Sequence, residues 1–137
     1  MSTTPEPMPL RHVLTAPTEP ASVRLARQTA ETTYAEWGVD AARPTMGPVL
    51  PILGEPVTDS VRHAAVASES LTVTYAAGEY ALAFAVHDRH PHHPGGVPAL
   101  TGGPATVAEV PAEHDGTCVP RRDADGGGKS VWITLPL

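Results

Sequence analysis

The sequence predicts an α+β domain, a two-layer sandwich with a mixed, mainly antiparallel sheet and helices on one face. Three observations predict it. A helical period with a start and a stop signal covers residues 22–37. A second helical period, interrupted by prolines, covers 46–64. Segments of strict alternation follow at 71–88 and near the end of the chain. Helices first and hairpins later, with no internal repeat, argue for helices laid on an antiparallel sheet.

Each element has its own reason. Residues 1–8 are polar and proline-rich, and read as a loose tail ahead of one domain spanning 9–137. Leu10 to Thr15 reads as a short strand. From Ser22, a candidate N-cap, the residues Val23, Ala26, Ala30, Tyr34 and Trp37 recur at spacings of three and four, and Gly38 is placed to end the helix. Met46, Val49, Leu53, Val57, Ser60, Val61 and Ala64 continue a second helical period. Pro48 fits a first turn, but Pro51 and Pro56 cannot both do so. An interior proline costs about 3 kcal/mol, so the expectation is a broken, kinked or late-starting helix.

Leu71, Val73 and Tyr75 alternate with threonines, Ala77-Gly78-Glu79 reads as a tight connection, and Tyr80, Leu82, Phe84 and Val86 alternate with alanines up to Asp88. Residues 89–104, rich in His, Pro and Gly, read as a long loop. A short helix over Thr106–His114, a strand over Thr117–Arg121, a turn at Asp125–Gly128 and a last strand over Ser130–Leu135 complete the order.

Bulk composition narrows the function classes. A chain of 137 residues fits one core, and 41% hydrophobic with 18% charged residues is the balance of a globular protein. The net charge of −6 offers no basic stripe to meet phosphates, which argues against nucleic acid. No apolar run approaches the roughly 20 residues that cross a bilayer, and MSTTPEPMPL does not read as a signal peptide. The single cysteine, Cys118, cannot pair within the chain, which suits a reducing, cytoplasmic setting. With two tryptophans, three tyrosines and one phenylalanine, the core is expected to rest on Val, Leu and Ala and to be modestly stable.

Four segments in order carry a family resemblance: PASVRLARQTAETTYAEWGV near the start, EPVTDSVRHA at 55–64, LTVTYAAGEYALAFAVHD at 71–88, and GGGKSVWITLPL at 126–137. Together they resemble the GHKL superfamily of histidine-kinase-like ATPase domains, and within it the small bacterial anti-sigma-factor serine kinases. The second segment is similar to the box written E-L-V-T-N-A-x-x-H-A in that family. The resemblance covers nearly the whole chain. It implies an ATP-binding, cytoplasmic regulatory protein with Mg²⁺. As a kinase it would phosphorylate a serine on a small antagonist protein, and it would grip a sigma factor through a dimeric surface, as a homodimer.

The resemblance also implies roles. Glu55 stands where the family has a general base. Asp59 stands at the asparagine that ligates Mg²⁺, and His63 continues the same helical face one turn on. An aspartate there adds negative charge beside a triphosphate, and Pro56 follows the glutamate directly. Asp88 is the adenine-reading aspartate, with Ser130 supporting it through water. Gly102 and Gly103 fall at the phosphate loop, although Pro104 removes one amide donor there. The phosphate side is therefore expected to be the weaker side. The rival reading is a non-catalytic pseudo-ATPase acting as a protein-interaction module. Taken without the family, Glu55 and Asp59 are the polar side of an amphipathic helix, Asp88 a strand-end carboxylate, and Gly102 and Gly103 loop glycines.

Two further features stand outside the resemblance. His87, His90, His92 and His93 crowd around Asp88 and invite a metal reading, but their spacing matches no established site, and a solvated loop explains them as well. Cys118 has no basic helper in sequence and reads as a buried structural thiol.

Overall fold

A computed structural model describes residues 8–39, 43–64, 69–89, 116–122 and 128–137. The elements run β1 (Leu10–Pro17), α1 (Ala21–Glu36), α2 (Met46–Ala64), β2 (Ser70–Ala77), β3 (Ala81–Asp88), β4 (Thr117–Arg122) and β5 (Lys129–Pro136). The strands form one five-stranded sheet in the order β1-β2-β3-β5-β4. All four pairings are antiparallel, so the described sheet is not mixed. No described helix is long and apolar enough to cross a membrane. The expected helix at 106–114 and turn at 125–128 lie wholly or mostly outside the described residues.

The apolar phase of the strands decides which face is covered. Val73 and Tyr75 of β2, Leu82, Phe84 and Val86 of β3, and Val131, Ile133 and Leu135 of β5 are all buried. They alternate with the other set along each strand, so they share one face of the sheet. That face takes the helices, with α1 on β1 and β2 and α2 on β3.

Helix α1 starts one residue earlier than expected. Ser22 is buried in the first turn, and its hydroxyl donates to the Pro17 carbonyl instead of capping the helix. At the other end Gly38 adopts φ +86°, a conformation that costs other residues strain. Gly38 N–H donates to Ala35 and Val39 N–H to Tyr34, the paired bonds of a Schellman stop.

Aromatic residues anchor the core more than the composition suggested. Tyr34, Tyr75 and Phe84 are among the largest fully buried side chains. Tyr34 Oη donates to the Ala83 carbonyl at 2.7 Å, and Tyr75 Oη donates to the Ala26 carbonyl at 2.7 Å. The two rings meet edge to face at 6.0 Å. Helix and sheet are therefore cross-tied by hydroxyls that would be costly to bury unpaired.

Helix α2 runs as one element through Pro51 and Pro56, where a break, a kink or a late start was expected. Each proline lacks the N–H that would reach back four residues, to Gly47 and Ile52 respectively. Burial offsets that loss: Val49, Ile52, Leu53 and Val57 are all within 2% of full burial. Tertiary packing holds a helix that local propensity disfavours.

Candidate functional site

The site forms where α2 crosses the end of β3. Asp88 closes β3 in the same phase as Leu82, Phe84 and Val86, so its carboxylate turns toward the helices. The buried stripe of α2 runs Met46, Val49, Leu53 and Val57, and its next member is Ser60. Ser60 Oγ donates to Asp88 Oδ2 at 2.6 Å. Across the sheet, Lys129 is the register partner of Asp88. Lys129 Nζ donates to the same Oδ2 at 2.8 Å. Asp88 is 1% exposed, Ser60 3% and Lys129 4%, so the whole cluster is out of water.

An ion pair taken out of water must recover a desolvation penalty of several kcal/mol per ion. The shared oxygen achieves part of this: one acceptor takes a neutral hydroxyl and a charged ammonium in hydrogen-bond geometry. Chemically, the cluster is a carboxylate whose Oδ2 is already supplied with donors. A ligand amino group seeking Asp88 meets an oxygen that serves Ser60 and Lys129.

The other anticipated residues are distributed around this point. Asp59, half-buried, precedes Ser60 and so lies about 100° round the helix from it, beside the cluster. Glu55 is exposed one turn earlier. Ser130 does not join them. It follows Lys129 on β5, pairs in register with His87, and by alternation stands on the opposite face of the sheet from Asp88. The one-residue difference decides the face, so Lys129 and not Ser130 meets Asp88. Gly102, Gly103 and the side chain of His63 lie outside the described residues.

His87 is half-buried on the outer sheet face, while His90, His92 and His93 lie outside the described residues. Among the described residues no cluster of three or more His, Cys, Asp or Glu is placed to hold a metal. Cys118 is half-buried in β4, and burial pushes its thiol up to about 11.

Sequence reasoning passed over Lys129 and gave Ser60 no role. Both carried a signal. Residues 129, 131, 133 and 135 share one strand phase, and three of the four are strongly apolar. A lysine in the inward phase needs a buried acid, and the strand-end Asp88 was available. Ser60 sits in the apolar stripe of α2, where a lone hydroxyl needs a buried acceptor.

A scan against protein-family models gives no match for this chain. A search among curated proteins gives no significant match either.

Proposed function

We propose that this chain is a regulatory protein of the histidine-kinase-like ATPase type, similar to the anti-sigma-factor serine kinases, with a reduced nucleotide site. In this reading ATP with Mg²⁺ binds weakly, phosphoryl transfer is absent, and the regulatory action is contact with a partner protein in the cytoplasm. A sigma factor or an anti-sigma-factor antagonist is the kind of partner the resemblance implies, with a homodimer as the binding form.

The observation that carries the reading is the Ser60–Asp88–Lys129 cluster. It joins the two segments, 55–64 and 71–88, that the resemblance pairs as metal side and adenine side. It also explains the reduction, because Lys129 and Ser60 already supply Asp88 with donors. Asp59 beside the cluster and Glu55 one turn away supply carboxylates on the metal side. Phosphoryl transfer needs Mg²⁺ and the γ-phosphate held in line with the nucleophile, and a misplacement of about 1 Å costs on the order of 100-fold. Pro104 in place of a glycine weakens that end further.

The second reading is an interaction module that binds no nucleotide at all, and the buried Lys129–Asp88 bond is what favours it. An assay of ATP hydrolysis, run with phosphate transfer to candidate antagonist proteins, tests the leading reading. The expected result is no turnover above the buffer rate. Sustained turnover by the unaltered chain would overturn it and make Asp59 a working metal ligand.

A further inference from the structure

The face of the sheet away from the helices is not flat, and its alanines Ala76 and Ala83 are only 1% and 3% exposed. It holds a half-open cavity of about 590 Å³. Its floor is Ala76, Ala81 and Ala83, and Trp132 forms part of the wall. Arg11 and Arg121 also line it. Register places these groups. Arg11 on β1 leads across to Ala76, Ala83, Thr134 and Thr117 in one row. Arg121 on β4 stands four residues along from Thr117, beside Ser130. The two guanidinium groups therefore mark opposite corners of an apolar trough.

Two features of the trough are not required by the fold. Alanine is a poor strand former, yet β3 carries it at the outward positions 81, 83 and 85, and β2 carries it at 76. Larger β-branched residues there would strengthen the strands and fill the cavity. Secondly, the chain carries a net charge of −6, yet among the described residues two arginines and no carboxylate line this cavity. Among the described residues neither arginine has an ion-pair partner. A second copy docked face to face would bring, among the described residues, arginines and no acid.

We propose that this trough binds an amphipathic organic anion: an aromatic or acyl body bearing a carboxylate or sulfonate. The body lies on the alanine floor against Trp132, and the acid group is held by Arg121 or Arg11. The cavity volume falls in the range of small-molecule sites, whose usual make-up is an apolar lining with a few placed polar groups. Arginine supplies the planar donor pair that a carboxylate or sulfonate accepts. This site is separate from the Asp88 cluster, which faces the helices, and does not depend on the nucleotide reading.

Titration of the full chain with 8-anilinonaphthalene-1-sulfonate, read by its fluorescence, tests the site. Saturable binding is expected, displaced by decanoate and not by decanol. The double variant Arg11→Gln/Arg121→Gln should weaken the probe at least about tenfold, the size expected for losing a charge-assisted hydrogen bond. Ala83→Leu, which fills the floor, should abolish binding while circular dichroism remains native. If that variant fails to fold, Ala81→Val and the arginine variant still decide the question. Absence of saturable binding would overturn the proposal, as would binding indifferent to the arginine and alanine changes. Displacement by poly-glutamate but not by decanoate would also overturn it, assigning the face to an acidic protein segment.

Discussion

Removing one member of a buried ion pair leaves the other charge in a medium that cannot solvate it. Asp88 and Lys129 are such a pair, both almost fully buried and 2.8 Å apart. Asp88→Ala or Lys129→Met should each cost about 3–5 kcal/mol, whereas Asp88→Leu with Lys129→Met should recover much of that loss. Urea denaturation of the three variants makes the comparison. Equal, additive losses would show that the two groups do not depend on each other.

Titration adds a second residue-scale expectation. Burial raises the Cys118 thiol from 9.0 to about 11, and it raises the Tyr34 and Tyr75 phenols well above their ordinary 10.0. For all three the folded state holds the proton more tightly than the unfolded one. Their contribution to stability is thus complete below pH 9 and falls as pH rises from about 9 upward. Melting temperature should decline steadily above pH 9, and Cys118→Ala should soften the first part of the decline, between about 9 and 11. A melting temperature flat to pH 11 would contradict this.

At the scale of elements, α2 shows where local rules yield to packing. Pro51 is exposed inside the helix, so its ring contributes little to the core while its missing N–H removes the bond back to the Gly47 carbonyl. Pro51→Ala should stabilise the chain, by up to about 3 kcal/mol. Pro56 is buried, and the same change there exchanges a helix gain for a packing loss. Equilibrium unfolding of the two variants separates these cases. If Pro51→Ala destabilises the chain, the proline shapes a bend that the packing requires.

The same scale explains what could be read in advance. The strands near 71–76, 79–88 and 129–136 were legible because period-two alternation over Leu82, Phe84 and Val86 has no helical counterpart, although β3 itself begins at Ala81. Helix α1 was legible from its stripe and from Gly38. The continuity of α2 was not, since two interior prolines weigh against a helix locally and only burial of Leu53 and Val57 against β3 reverses the balance. The aromatic ties were not legible either: nothing local shows that Tyr34 reaches Ala83, 49 residues away.

For the whole molecule, the candidate site was half legible. The resemblance singled out Asp88 and the 55–64 box, and the fold brings Asp88 against Ser60 within that box. Ser130, which the resemblance gives as Asp88's companion, stands on the opposite face of the sheet. A family pattern transfers a position along the chain, but the face a residue takes is set by strand phase, and Val131, Ile133 and Leu135 send Lys129 inward and Ser130 outward. The result is a carboxylate met by a lysine where an open acceptor was expected.

We propose a nucleotide site that persists in outline but is reduced at its core. Titration of the unaltered chain with a fluorescent ATP analogue, with and without Mg²⁺, tests it most directly. Weak binding that Mg²⁺ changes little is expected, because Asp59 and Pro104 depart from the residues that the resemblance implies for metal and phosphate. Tight binding that depends on Mg²⁺ would contradict it.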